Sequence, residues 1–160
     1  MLIVSKEVLM MKFKFLLCIA LLFLSVSPAS AAEKKSPFFG VSATVVQVED
    51  GTFEVRTKGA EENEGFVFSP RGGKGGETII FEVQVKGEAA VYLLVDETDA
   101  RGTFLAETVS PVIGLHDPWR TIQLEVELQD TTSQIDAMVL TNKQEKTKFM
   151  FRNVKVSVKK

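Results

Sequence analysis

The sequence has very few of the residues on which disulfides, zinc sites and nucleophilic catalysis depend. Its 160 residues include one cysteine, one histidine, one tryptophan and one tyrosine. A lone histidine cannot build a typical zinc site, which needs three or four nitrogen, sulfur or oxygen ligands. It also gives no basis for a Ser-His-Asp or Cys-His set, and no carboxylate pair is placed by sequence for glycoside hydrolysis. We therefore predict that the protein is not an enzyme.

The single cysteine, Cys18, lies in an apolar run (15–26) that follows two lysines and precedes the motif Ala29-Ser30-Ala31. A basic segment, an apolar segment too short to span a bilayer and an A-x-A motif are typical of a secretory signal peptide. We predict translation from Met11, a signal peptide that ends with cleavage after Ala31, and a secreted or cell-surface protein. The mature chain then has no cysteine and no disulfide.

The predicted mature chain consists of a short leader (32–38) and one domain (39–160), long enough for a real core. It carries 16 basic and 20 acidic residues, a net charge of −4. This balance argues against nucleic acid and anionic membrane as partners, because both favour a basic surface. No membrane insertion is expected after cleavage, and the sequence leaves the oligomeric state open.

Helical periodicity is also missing, and period-two alternation takes its place. Eight segments have the apolar alternation and turn boundaries of strands. They are 41–48, 52–57, 65–69, 77–86, 89–97, 119–128, 135–141 and 148–158. Glu49-Asp50-Gly51 is a hairpin signal between the first two. Eight or nine strands with almost no helix predict an all-β fold, an antiparallel sandwich or barrel.

Two segments show the alternation most clearly. In 77–86 it places Ile79, Phe81, Val83 and Val85 on one face. In 119–128 it places Ile122, Leu124, Val126 and Leu128 inward. The opposite faces carry a polar strip, which we predict to include Glu82, Gln84, Gln123 and Glu125.

The order of motifs from about residue 65 to 158 resembles the galactose-binding-like jelly-roll domains, and in particular the carbohydrate-binding modules of bacterial glycoside hydrolases. In that family a glycine turn opens a long strand that ends in Lys-Gly, a Trp and a basic residue open a later strand, and the last strand carries Asn-Val. The matching positions here are Gly76, Lys86-Gly87, Trp119-Arg120 and Asn153-Val154. The resemblance implies an antiparallel jelly-roll sandwich and carbohydrate binding.

The resemblance also bears on calcium. Family members often have an acidic residue directly before the Asn-Val pair, where it helps to hold a structural calcium ion. This chain has Arg152 there, which puts a calcium site of the family type in doubt. Glu49 and Asp50 remain possible oxygen ligands elsewhere.

Trp119 has two interpretations. Its ring either stacks on the apolar face of a sugar or caps the end of the core where a strand begins. In the resembled family a Trp at this strand start serves packing, which favours the second. His116 and Asp117 precede it, and Asp117-Pro118 is a common turn initiator; His116 is a weaker candidate for ligand contact.

Further candidate ligand-binding residues lie elsewhere in the chain. Tyr92 alternates with the aliphatic set Val91, Leu93 and Val95, and we predict that it shares an open face with the polar strip. The loop 96–104 contributes Arg101 and Phe104 near one end of the sheets, where jelly rolls often bind ligands. Two interpretations of such a polar strip stay open: it hydrogen-bonds sugar hydroxyls, or it is an ordinary solvated outer face.

Two functions follow. The first is a secreted, non-catalytic module that binds a cell-wall or extracellular polysaccharide. The second is an envelope protein with the same fold that binds another protein or has a structural role, without a sugar site. Exposure separates them, because burial of Trp119, Tyr92 and Phe104 would leave a sugar no aromatic anchor.

Overall fold

The computed structural model describes residues 36–70, 75–130 and 132–160, and residues 36–160 form one compact unit. The predicted signal peptide and most of the predicted leader lie outside the described residues. All regular elements in the described ranges are strands. They are β1 (Phe38–Val41), β2 (Ala43–Glu49), β3 (Thr52–Thr57), β4 (Gly65–Phe68), β5 (Thr78–Gly87), β6 (Ala90–Thr98), β7 (Phe104–Val109), β8 (Ile113–Gly114), β9 (Arg120–Glu127), β10 (Gln134–Thr141) and β11 (Lys148–Val158).

The strands form two antiparallel sheets that face each other. One has six strands, in the order β1-β4-β10-β6-β7, with β8 also paired to β6. The other has five, in the order β2-β3-β11-β5-β9. Consecutive strands β5 and β6 lie in different sheets, so the chain crosses between sheets after Gly87. The predicted all-β antiparallel jelly-roll sandwich is confirmed.

The core lies between the sheets and is built from the predicted inward residues. Val83, Val85, Val91 and Leu93 are completely buried, as alternating strands with one face on a core require. Aromatic rings fill the middle: Phe66 stacks on Phe151 with ring centres 3.8 Å apart. Burying such rings is a main source of stability in a domain without disulfides.

Residues 36–70, 75–130 and 132–160 contain eleven strands, compared with the eight or nine predicted. The additions are β1, β7 and β8, which are short or carry little alternation. β1 begins at Phe38, the last residue of the predicted leader, and the Phe38 ring packs edge-on against Phe53 and Phe151 at 4.8 and 4.9 Å. The predicted hairpin at 49–51 joins β2 to β3, with Gly51 at a positive φ.

The sandwich has two ends, which we name after Gly76, just before β5, and Gly87, the last residue of β5. At the Gly87 end β5 finishes and β6, β9 and β11 begin; at the Gly76 end β5 starts and β6, β9 and β11 finish. Where the structure describes the chain, it contains no helix long and apolar enough to cross a membrane.

Candidate functional site

The outer face of the five-stranded sheet carries Trp119 at its Gly87 end. Trp119 directly precedes β9, one position beyond the Arg120–Val85 pair, which puts it beside Lys86 on β5. Lys86 Nζ lies 5.1 Å from the centre of the indole ring. Trp119 is partly exposed and is not a member of the buried core. The ring therefore lies on the surface of the sheet rather than capping the core.

Arg152 joins Trp119 to a set of polar side chains. Its guanidinium carbon lies 4.3 Å from the centre of the Trp119 ring, a cation–π contact. Its Nε–H donates to Gln84 Oε1 at 2.8 Å, and Asn153 Nδ2 donates to the same oxygen at 3.1 Å. We call Trp119, Lys86, Arg152, Gln84 and Asn153 the Trp119 cluster.

A β-bulge lets two successive residues of β11 reach Gln84. The pairing between β11 and β5 shifts between Arg152 and Lys155, and Asn153 has a φ of 53°. Bulges re-aim side chains that a regular strand would send to opposite faces, and Asn tolerates this left-handed conformation better than most residues. The Asn-Val motif of the sequence is therefore the point where the bulge shapes this face.

An open groove of about 580 Å³ lies beside the Trp119 cluster and shares Lys86 with it. Three more cations line it, and we call it the basic groove; its charged lining consists of Arg56, Lys86, Lys146, Lys148, Glu54, Glu88 and Asp117. Glu54 pairs with Arg56 at 2.5 Å, and Asp117 lies 4.0 Å from Lys86. Four cations and three carboxylates leave a positive balance.

The turn at residues 58–61, which lies near the groove, is held in place by a buried carboxylate. Glu64 is fully buried and accepts four backbone N–H bonds, at 2.5 to 3.1 Å, from residues 58 to 61. Gln144 Nε2 donates to Ala60 O at 2.7 Å, which ties this turn to the loop that carries Lys146. Burial works to raise the pKa of Glu64, but the four N–H bonds outweigh it and lower the pKa below its ordinary value.

Three of the predicted site residues share this outer face. Gln84 belongs to the Trp119 cluster, and Gln123 lies further along the same face, opposite Glu82. Glu82 in turn pairs with Lys155 at 2.8 Å. The predicted polar strip therefore exists, and it lies next to Trp119.

Tyr92 does not share that face, so this part of the prediction was wrong. It lies on β6 in the six-stranded sheet, opposite Leu140, and its hydroxyl donates to Asn63 Oδ1 at 2.7 Å. Alternation correctly separated Tyr92 from its buried neighbours, but it does not reveal which sheet a strand joins. Because β5 and β6 belong to different sheets, Tyr92 and Gln84 face away from each other on opposite sides of the sandwich.

Arg101 and Phe104 are also remote from Trp119. Both are exposed in or next to the connection from β6 to β7, at the Gly76 end, and Phe104 has 62% of its surface exposed. His116 is exposed at the Gly87 end, close in sequence to Trp119. Trp119, Tyr92 and Phe104 are thus all accessible to some degree, but they do not form one aromatic platform.

Sequence reasoning missed the cations of this face. Lys148, Met150 and Arg152 alternate with buried Phe149 and Phe151 on β11, so their shared face was available from the pattern. What the pattern lacked was the order of strands, which brings β11 between β3 and β5. Only that order places Arg152 beside Trp119.

Metal ligands do not gather in the described residues. No group of three or more His, Cys, Asp or Glu side chains there is arranged to hold a metal ion. Glu49 and Asp50 are exposed at the β2–β3 hairpin, and Arg152 is engaged with Trp119 and Gln84. The residues present do not fit a calcium ion of the family type.

The fold is that of carbohydrate-binding modules. The chain is similar in fold to part of a solved structure from Clostridium thermocellum, which contains the CBM22-1 and GH10 modules of xylanase 10B in complex with xylohexaose. The TM-score is 0.63 and the identity is 18%, and the match covers 77% of this chain and 26% of that one. It therefore spans about a quarter of that xylanase chain. A family 11 module of a Clostridium thermocellum cellulosomal cellulase matches with a TM-score of 0.60 and 15% identity, over 80% of this chain and 91% of the module.

A xylan-binding family 22 module of Paenibacillus barcinonensis gives a TM-score of 0.56 and 15% identity, over 76% of this chain and 85% of the module. No protein-family model matches the sequence, and no curated protein is similar to it in sequence. At these identities the likeness is one of fold. It shows that the chain has the jelly-roll sandwich fold of these modules.

Proposed function

We propose that the protein is a non-catalytic carbohydrate-binding module whose site is the outer face of the five-stranded sheet at its Gly87 end. The observation that carries this proposal is the Trp119 cluster: a partly exposed indole, outside the core, next to hydrogen-bonded guanidinium and amide groups. The fold of the module-type neighbours supports it. Solved modules of this fold include a xylan-binding one.

The cluster offers both kinds of contact that a sugar needs. The C–H face of a pyranose is apolar and packs against an aromatic ring, while its hydroxyls need donors and acceptors around the rim. Gln84 Oε1 accepts from Arg152 and Asn153, which fixes the orientation of all three side chains. Side chains that are already oriented lose less entropy when a ligand binds.

We further propose that the protein acts outside the cell, on a cell-wall or extracellular polysaccharide. The predicted signal peptide supports this location. A shallow open site of this kind suits an extended polymer, because a groove open at the surface does not require a chain end to enter it.

Protein binding is the second candidate function, and a different surface favours it. Phe104, Val109 and Val112 are 62%, 47% and 52% exposed on and just after β7, which ends the main strand path of the six-stranded sheet. An edge strand with exposed apolar side chains is a surface on which another chain can pair. This surface is separate from the Trp119 cluster.

Retention on insoluble polysaccharides and purified cell wall tests the proposal, with calcium or with chelator present. Saturable retention that a soluble oligosaccharide competes away is the expected result. Trp119→Ala should abolish most of that retention, and Phe104→Ala, on the other sheet and at the other end, is the matched control. Retention that depends on Phe104 and not on Trp119 would show that the binding surface is at β7 and not at the Trp119 cluster.

A further inference from the structure

We infer that the glycan bound at this face is anionic, with carboxylate or other acidic groups along its chain. The inference rests on the proposed function and concerns the chemistry of the same site. It comes from the charges around Trp119: the basic groove supplies four cations and Arg152 adds a fifth, against three carboxylates. A neutral polysaccharide carries no charged groups that could pair with this excess of positive charge.

Most of these cations are not neutralised by the protein itself. In the ranges that the structure describes, no carboxylate lies within 4 Å of the charged nitrogens of Lys146, Lys148 or Arg152. Asp117 reaches only 4.0 Å from Lys86 and is itself highly exposed, so this pair is weak. At least three positive charges therefore face the groove or its border without an internal counterion.

The excess is local and runs against the charge of the whole chain. After residue 31 the chain carries a net charge of −4. The concentration of cations between β3, β11 and β5 thus creates a positive potential where the rest of the molecule is negative, and such potentials steer oppositely charged ligands.

Arg152 is the residue best placed to recognise an acid group. Its Nε–H is bonded to Gln84 and its guanidinium carbon lies 4.3 Å from the centre of the Trp119 ring, so the side chain is held in position. Its two terminal nitrogens remain to form parallel bonds to a carboxylate, the geometry that makes Arg–carboxylate pairs strong. A sugar bound beside the Trp119 ring would carry its acid group toward this guanidinium.

The negative charge of the chain as a whole argues against nucleic acid or anionic membrane as the ligand. Binding of a long polyanion needs a broad basic surface, and the outer face of the six-stranded sheet carries carboxylates instead. Asp96 lies directly between Glu107 on β7 and Asp136 on β10. The basic surface is confined to the basic groove and its border, and it lies next to the partly exposed Trp119 ring.

The test compares polygalacturonate, its methyl-esterified form and a neutral xylan by affinity electrophoresis at low and high NaCl. We expect at least about tenfold tighter binding to polygalacturonate than to the ester, and weakening with salt. The double variant Lys148→Gln with Arg152→Gln should lose this preference. Arg152→Lys, which keeps the positive charge, should retain part of it. Lys159→Gln, which removes a cation paired with Glu125 at 2.5 Å on the far part of the sheet, is the control.

The outcomes separate this inference from the proposed function. Equal, salt-independent binding to polygalacturonate, to its ester and to xylan would overturn the anionic specificity and leave the proposed sugar site standing. No binding to any glycan by folded protein would overturn both. Binding to a teichoic-acid polymer in place of polygalacturonate would support an anionic ligand and identify phosphate as its acid group. Equal binding to polyglutamate would show that charge alone is recognised and would overturn the glycan.

Discussion

Arg152 and Trp119 come from segments that are not neighbours in the sheet, yet the guanidinium carbon of Arg152 lies 4.3 Å from the centre of the Trp119 ring. Arg152 is on β11, and Trp119 immediately precedes β9; β5 runs between them. The arginine side chain therefore reaches across a whole strand, and its bond to Gln84 on that middle strand supports it on the way. Three strands are thereby tied together on one outer face.

Trp119→Ala should weaken glycan binding by at least about tenfold, or about 1.4 kcal/mol, while changing the melting temperature little. The reason is that the ring lies on the sheet surface and not in the core. Isothermal titration and thermal unfolding measure the two effects. Phe151→Ala, in the core, should instead cost about 3–5 kcal/mol of stability. A large loss of stability in Trp119→Ala with affinity intact would make it a packing residue.

Gln84→Ala should lower affinity more than Gln123→Ala does. Gln84 orients Arg152 and Asn153, whereas Gln123 lies opposite Glu82, further along the face from Trp119. Loss of one such hydrogen-bonding side chain costs about 1 kcal/mol, or roughly fivefold in affinity. Titration of both variants with the same oligosaccharide measures the difference. Equal effects would mean that the site extends along the whole polar strip.

Glu64→Gln should destabilise the domain at neutral pH by about 1–3 kcal/mol, because a charged acceptor of four backbone bonds is lost. The folded pKa of Glu64 lies below its ordinary value of 4.5. Its stabilisation is therefore complete above pH 4.5 and is lost as the pH falls through the folded pKa. Urea unfolding between pH 7 and pH 3 measures this, with the exposed Glu62→Gln as control. A variant with the wild-type pH profile would contradict it.

Gly87→Ala should destabilise the domain more than Gly76→Ala. Both glycines have positive φ, 143° and 77°, but only at Gly87 would a Cβ meet other atoms, Lys148 O and Phe149 Cα at 3.0 Å. At Gly76 the cost is the backbone strain alone, about 1–2 kcal/mol. Denaturant unfolding of both variants gives the comparison, and equal losses would show that the contact to β11 relaxes freely.

The fold and its core were predictable from the sequence, because alternation is a local property. The inward set of β5, Ile79 through Val85, follows directly from a period of two, and the strand 148–158 has the predicted bounds. β7 escaped prediction because its residues are mostly exposed or half-buried and carry no contrast between faces.

The site was predictable only in part. Trp119, Gln84 and Gln123 lie on one outer face, a placement that rarity and alternation indicate, and their role in binding stays a prediction. Tyr92 was placed on the wrong sheet, and Arg152 was noticed only for the calcium site that it disfavours. Both errors have one cause: the pairing of β11 with β5, and the crossing of the chain between β5 and β6, are long-range features that period-two patterns do not contain.

The row Glu107–Asp96–Asp136 on the six-stranded sheet gives the molecule two unlike sides. Burial raises the pKa of Asp96, and the neighbouring Glu107 and Asp136 raise it further, which shows how closely negative charge is gathered there. The carboxylates on this opposite side would repel an acidic polymer bound at Trp119. On the proposed specificity, one domain would hold a single anionic strand without cross-linking two, and a bridging role would require a second copy of the chain.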